Sequence, residues 1–172
     1  MVVLYLNATF AFAQGNGNAF GLGVNIPEVL IIALRSNSST SISLGLDGPA
    51  EAGLGATNTG DSSIWVNYNF VKGQNSRPKA KVYAKIGSGT VPSGMDLKVL
   101  AKSATVHGKG NSTGQITLSS TDQPIIENIK SANTGNGANK GHNLVYNLDL
   151  TSYSLVNYTA PIVLTIAYTV AE

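Results

Sequence analysis

The stretch Ser63-Ile-Trp-Val-Asn-Tyr-Asn-Phe-Val71 decides the fold class, because its largest side chains recur at every second position. Residues spaced by two share one face of an extended chain, and here that face is formed by Ile64, Val66, Tyr68 and Phe70. The opposite face carries Trp65, Asn67 and Asn69. A period of two over this length predicts a β-strand with one buried face.

Stretches with the same alternation lie on both sides of this strand. They cover residues 24–34 (interrupted by Pro27), 41–46, 79–86, 95–102, 115–118, 143–150 and 160–170. Residues 124–130 are ambiguous between a strand and a helical turn. Residues 72–78 have the length of a hairpin connection, and residues 50–61 and 131–141 are expected to be irregular because glycine and asparagine are frequent there.

Short alternating strands separated by turn residues are typical of sandwiches and barrels. The uneven spacing of the strands and the long irregular segment favour a sandwich over a closed barrel. We therefore predict an all-β fold: a single antiparallel β-sandwich, with completion by strand exchange between copies as an open alternative.

The composition narrows the possible functions. The chain of 172 residues suits one domain, and its charged share of 12% is about half of the ~25% that is usual for soluble domains. Its polar surface must therefore come from Asn, Ser, Thr and Gly, which is typical of extracellular β proteins. A net charge of +2 does not indicate a nucleic-acid partner. The absence of cysteine excludes a disulfide scaffold and a thiol nucleophile.

The first thirteen residues allow two interpretations, and the sequence divides accordingly into residues 1–13, a glycine- and asparagine-rich tether at 14–23 and a sandwich domain at 24–172. The apolar run before Gln14 ends in small residues, as a signal peptide does. It is shorter than the ~20 residues of a membrane-spanning helix, so no membrane span is expected. The same run also alternates with period two, as a donor strand for another copy would. Its candidate assembly face is Val2, Leu4, Leu6, Phe10 and Phe12.

No residue pattern indicates catalysis. His107 and His142 lie in or beside glycine-rich turns, without carboxylates at ligand spacing, and are expected to be exposed. The nine carboxylates are scattered, and no nucleophile–base pair stands out. The sequence therefore predicts a protein that is not an enzyme, with no catalytic residue, no metal site and no cofactor.

Two sets of residues are candidates for contact with a surface ligand. Lys79, Lys81 and Lys85, followed by Lys98 and Lys102, resemble a basic strand face; a solvated face that discourages aggregation is the favoured interpretation. Trp65 is the best candidate for stacking on a sugar, because its neighbours should point inward. Four glycosylation sequons, at Asn7, Asn37, Asn111 and Asn157, are about as many as this composition produces by chance.

Four segments carry a family resemblance: Gly141-x-x-Leu144-x-Tyr146-x-Leu148, Val163-x-Thr165-x-x-Tyr168-Thr169-Val170, Trp65-x-Asn67-Tyr68 and Pro92-x-Gly94-x-x-Leu97-x-Val99. They resemble the strands of small secreted bacterial β-sandwich proteins of the fimbrial-subunit type. The resemblance implies an Ig-like or pilin-like sandwich, a surface-exposed structural or adhesive role and polymerisation by strand exchange. The chain differs from the best-known pilins in lacking their disulfide.

The sequence therefore predicts a secreted, non-catalytic subunit of an extracellular filament, pilus or surface layer at the cell surface. Its expected partners are further copies of itself in a homopolymer, joined by strand complementation, and a cell-surface or glycan ligand. The alternative is a monomeric secreted adhesin or glycan-binding module.

Overall fold

The computed structural model describes residues 21–37, 39, 41–73, 79–104, 109–157 and 161–172. Within these ranges the chain forms twelve strands: β1 (Val29–Ser36), β2 (Leu46–Asp47), β3 (Thr57–Asn58), β4 (Gly60–Val71), β5 (Ala80–Ser88), β6 (Met95–Ala101), β7 (Asn111–Ser112), β8 (Gln115–Thr117), β9 (Gln123–Ile129), β10 (Ala132–Asn133), β11 (His142–Leu150) and β12 (Thr165–Ala171). A 3₁₀ turn at Tyr153–Leu155 is the one helical element of the described residues. The prediction of an all-β, antiparallel fold is confirmed.

The strands form two main sheets and a small hairpin. The larger sheet has the order β1-β4-β11-β6-β8, and β10 also pairs with β4, beyond the end of β11. The smaller sheet has the order β12-β5-β9-β7, and β2 pairs only with β3. All of these pairings are antiparallel.

The core lies between the inner faces of the two sheets, as the alternation along the strands predicts. From the larger sheet, the buried apolar residues include Ile64, Val66, Tyr68, Phe70, Leu97, Val99, Leu144 and Tyr146. From the smaller sheet they include Ala80, Val82, Ala84, Ile125, Ile126 and Ile129. The Tyr146 and Tyr168 hydroxyls form a short hydrogen bond from β11 to β12, which joins the two sheets. Burial raises the pKa of Tyr146 to about 12, so this hydroxyl stays protonated at neutral pH.

The alternative of a helical turn at residues 124–130 is wrong, because these residues lie in β9. Ile125, Ile126 and Ile129 are all buried although they do not alternate. The register with β5 shifts twice along this strand, and Asn128 has a positive φ of 62°. Such irregularities break the period of two, and they place apolar residues at a spacing that imitates one helical face.

Several other features differ from the sequence prediction. The last strand begins at Thr165 rather than at residue 160, and β10 lies within the segment 131–141 that was expected to be irregular. The first long strand begins at Val29 rather than at residue 24, and in the region 41–46 only Leu46 is part of a strand. Residues 50–61 are not irregular throughout, since they contain β3 and the start of β4. The connection after β4 is no hairpin, because β4 and β5 belong to different sheets. Connection length alone does not distinguish a hairpin from a crossing between two sheets.

Candidate functional site

One end of the larger sheet presents a polar outer face built by three neighbouring strands. On β1 and β4, Arg35 lies opposite Trp65, and Ile31 lies opposite Asn69. Asn69 in turn pairs with Asn133 of β10. Residues spaced by two along a strand project from the same side of the sheet. Aromatic, amide and guanidinium groups are therefore collected on one surface.

The segment of residues 134–141, here called the Asn–Gly loop, folds over this outer face and buries Asn67. The Asn67 amide makes two hydrogen bonds to the backbone of the loop. Its Nδ2 donates to the Lys140 carbonyl at 2.7 Å, and its Oδ1 accepts from the Gly137 N–H at 3.1 Å. At the start of the loop, Thr134 Oγ1 accepts from the Tyr68 N–H at 2.9 Å. A glycine-rich segment is thus fixed in one position on the sheet.

Gly141 shows why the end of this loop requires glycine. Its φ is +68°, which L side chains rarely adopt. A Cβ atom at this position would lie 2.2 Å from the Val66 carbonyl oxygen and 2.8 Å from Asn67 Nδ2. The loop can therefore approach β4 this closely only without a side chain at residue 141.

A groove of about 330 Å³ runs between β1 and the Asn–Gly loop. Its described lining residues are Ile31, Ala33, Arg35, Asn67, Tyr68, Asn69, Asn133, Gly135 and Asn136. Arg35 Nε donates to Asn136 Oδ1 at 3.0 Å, which connects β1 to the loop. The volume lies at the lower end of the ~300–1,000 Å³ range of small-molecule sites. This groove is the best-defined candidate site of the described residues.

A second, wider groove of about 470 Å³ lies between the β2–β3 hairpin and the end of β11. Its one described carboxylate, Asp149, accepts from Asn58 Nδ2 at 2.8 Å and forms an ion pair with Lys98 at 2.8 Å. Both carboxylate oxygens are therefore already used within the protein. The charge of this carboxylate is therefore balanced by Lys98 within the described part of the protein.

The structure separates the candidate lysines. Lys81 and Lys85 lie on β5 of the smaller sheet, whereas Lys98 lies on β6 of the larger sheet, so they do not share one face. Lys81 forms an ion pair with Glu127 at 2.9 Å and Lys85 one with Asp122 at 2.8 Å. These carboxylates reduce the positive potential at both lysines. Lys79 is exposed just before β5.

Trp65 is half-buried on the outer face of β4, and both of its chain neighbours are buried in the core. It lies next to the groove, in the cross-strand position opposite Arg35. The sequons at Asn37, Asn111 and Asn157 are exposed. Asn7, and the candidate assembly strand with Val2, Leu4, Leu6, Phe10 and Phe12, lie outside the described residues.

The expectation of an exposed His142 is wrong: this residue is fully buried on β11. Its Nδ1 donates to the Lys102 carbonyl oxygen at 2.8 Å, and its Nε2 lies 3.0 Å from the Tyr68 hydroxyl. Burial lowers the pKa of His142. The glycine before it suggests a turn, but the strand begins at His142 itself. His107 lies outside the described residues.

The described part of the chain before β1 is extended and exposed. Residues 21–28 form no strand, and Leu22, Val24 and Ile26 are 76–80% exposed. These three residues alternate with period two, so they share one side of the extended chain. Large apolar residues that alternate and have no packing partner among the described residues are a candidate interaction feature.

Two kinds of feature are absent from the described ranges. They contain no group of three His, Cys, Asp or Glu side chains that is arranged to hold a metal ion. They also contain no helix that is long and apolar enough to cross a membrane.

The groove residues Arg35, Asn69, Asn133 and Asn136 did not stand out in the sequence. The one local signal is the frequency of asparagine in residues 131–141. Arg35 and Asn136 are 101 positions apart, and only the pairing of β1 and β10 with β4 brings them together. Comparison with protein-family models, with curated proteins and with solved structures finds no match to this chain.

Proposed function

We propose that this protein is a secreted, non-catalytic subunit of an extracellular filament, pilus or surface layer, and that copies join by addition of an N-terminal strand of one subunit to a sheet of the next. The observation that carries the proposal is the exposed segment at residues 21–28, with Leu22, Val24 and Ile26 alternating along one side. In β-strand addition, main-chain hydrogen bonds supply affinity and alternate side chains enter pockets.

The two sheets offer long acceptor edges on one side of the sandwich. β1 is an edge of the larger sheet and β12 an edge of the smaller sheet, and neither has a second partner strand among the described residues. β1 and β12 contact each other, so both edges lie at the same side. The opposite edges, β8 and β7, have only 3 and 2 residues. An unpaired long edge is a template for another chain.

Burial of the alternating apolar side chains favours such addition. Full burial of a Leu, Val or Ile side chain stabilises by about 1.5–3 kcal/mol. The three alternating residues of the segment therefore contribute several kcal/mol, from which the cost of ordering the segment is subtracted. The strand with Val2, Leu4, Leu6, Phe10 and Phe12 is the other proposed donor, and it would extend the same mode of pairing.

The test compares full-length chains by light scattering and negative-stain microscopy. A triple variant, Leu22→Ser with Val24→Ser and Ile26→Ser, removes the apolar side of the segment. The matched control, Gly23→Ser with Asn25→Ser, changes only the intervening positions. We expect the control to assemble and the triple variant to remain monomeric, and deletion of residues 1–13 measures the part played by the other donor. A full chain that stays monomeric at every concentration would refute the proposal.

A second candidate function, a monomeric adhesin or glycan-binding module, is supported by the groove beside Trp65. Asparagine side chains suit sugar hydroxyls, because each amide offers both donors and an acceptor. The exposed Ile31 and the half-buried Ala33 on β1 provide an apolar wall for the carbon face of a sugar ring. Binding of an oligosaccharide by the assembly-deficient triple variant is the measurement that would support this function separately from assembly.

A further inference from the structure

The groove is richer in hydrogen-bond donors than in acceptors. Asn136 Oδ1 accepts from Arg35, Asn133 Oδ1 accepts from the Gly135 N–H at 2.8 Å, and Asn67 Oδ1 accepts from Gly137. Arginine and backbone N–H groups only donate, so these amide orientations are fixed by their partners. These three amide oxygens therefore already accept hydrogen bonds within the protein. The NH₂ groups of Asn133 and Asn136, by contrast, make no hydrogen bond within the described residues.

Arg35 supplies most of the remaining donors. Of its five N–H groups, one donates to Asn136 and one reaches the Leu34 carbonyl at 3.4 Å. The other three have no acceptor among the described residues. The hydrogen bond from Nε to Asn136 orients the guanidinium plane. The edge formed by the two terminal nitrogens stays available, and a carboxylate can accept two parallel hydrogen bonds from such an edge.

The charge of the groove has one sign. Its lining residues within the described ranges include Arg35 and no carboxylate. The aliphatic part of the Lys140 side chain lies beside Gly135, since its carbons are 3.4–3.5 Å from the position that a Cβ of Gly135 would occupy. The three ion pairs of the described chain, by contrast, lie on β5, β6 and their neighbours. Within the part of the chain that the structure describes, Arg35 thus forms no ion pair with an acidic side chain.

We infer that the groove binds an acidic saccharide, with the sugar carboxylate on Arg35 and the apolar side of the ring against Ile31. The hydroxyl oxygens of the sugar then accept hydrogen bonds from the amide groups of Asn69, Asn133 and Asn136. The inference rests on the second candidate function and specifies its ligand class. It holds for a monomer and for an assembled subunit alike, because the groove lies on the outer face of the sheet rather than between the sheets.

The experiment is titration calorimetry of the full chain with a trimer of galacturonic acid and with the methyl ester of the same trimer. The two probes differ in charge and share their ring hydroxyls. We expect the acid to bind about tenfold more tightly than the ester, the difference that a charge-assisted bidentate contact supplies. Arg35→Gln should abolish this preference, whereas the control Lys79→Gln, which removes the same charge at an exposed position just before β5, should retain it.

Each other outcome is decisive. Equal affinity for acid and ester would overturn the carboxylate contact while leaving a glycan-binding function in place. An equal loss of affinity for the acid in Arg35→Gln and Lys79→Gln would show that the acid is attracted by the net charge of the protein. It would overturn the assignment of the carboxylate site to Arg35. Binding of neither probe by the wild-type chain would overturn both the inference and the second candidate function.

Discussion

Tyr68 and His142 form a hydrogen bond of 3.0 Å in the core, between inward-facing side chains of the neighbouring strands β4 and β11. Their rings stack with centroids 5.7 Å apart. The Lys102 carbonyl can only accept, so the proton of the neutral imidazole is on Nδ1 and His142 Nε2 accepts from the Tyr68 hydroxyl. The same hydroxyl accepts from the Gly110 N–H at 3.1 Å. A polar chain thus crosses an apolar core with each member paired.

Acidification should destabilise the protein through His142. Burial lowers the pKa of His142 below its usual 6.5, so the unfolded chain binds the proton first. The neutral His142 therefore contributes its full share of the free energy of unfolding above pH ~6.5. As the pH falls toward the pKa of the folded state, this contribution decreases by up to about 1.4 kcal/mol per pH unit. Urea unfolding at pH 7.5 and at pH 5.5 measures this loss. The variant His142→Gln should show a smaller difference between the two pH values, and an unchanged difference would contradict the assignment.

Tyr68→Phe should cost at least about 2 kcal/mol of the free energy of unfolding. The change leaves His142 Nε2 and the Gly110 N–H buried without a partner, and each unpaired buried group is destabilising by about 1–3 kcal/mol. Tyr83→Phe is the control, because Tyr83 is half-buried on the outer face of β5. We expect the control to change the midpoint of urea unfolding very little. Similar losses in both variants would show that the polar chain in the core is not the cause.

Asn67→Ala should destabilise the protein by about 2 kcal/mol, because it removes two hydrogen bonds that hold the Asn–Gly loop and leaves a buried gap. Asn69→Ala is the matched control, two positions along the same strand and on the same outer face. Its amide makes no hydrogen bond within the described residues, so a change below ~0.5 kcal/mol is expected. Chemical denaturation of both variants provides the comparison, and equal effects would argue against the anchoring role of Asn67.

Gly141→Ala should be more damaging than Gly137→Ala, although both positions lie in the Asn–Gly loop and have positive φ. Both variants carry a backbone penalty of about 1–2 kcal/mol. Only the Cβ at residue 141 would also collide with the Val66 carbonyl oxygen, whereas nothing lies within 4 Å of a Cβ at residue 137. Thermal unfolding should therefore show a clearly lower midpoint for Gly141→Ala. A midpoint of thermal unfolding that is lower for Gly137→Ala than for Gly141→Ala would contradict the close approach of the loop to β4.

The residues that face the core could be predicted from the sequence by itself. Ile64, Val66, Tyr68 and Phe70 are buried as their spacing predicts, and the same is true of Ala80, Val82 and Ala84 on β5. This succeeds because alternation is a local property: successive side chains of a strand point to opposite sides, whichever strand pairs with it. The class of fold follows from such local patterns repeated along the chain.

Strand order, and with it the candidate site, was decided only by the tertiary structure. Asn67 is on the outer face, where alternation predicts exposure, yet it is buried because a loop seventy positions away folds over it. Arg35 meets Asn136, and His142 meets Tyr68, through pairings between distant strands. Many strand orders bury the same apolar faces, so local periodicity does not select among them. The selection is made by packing and hydrogen bonding between segments far apart in sequence, and the groove exists only where these segments come together.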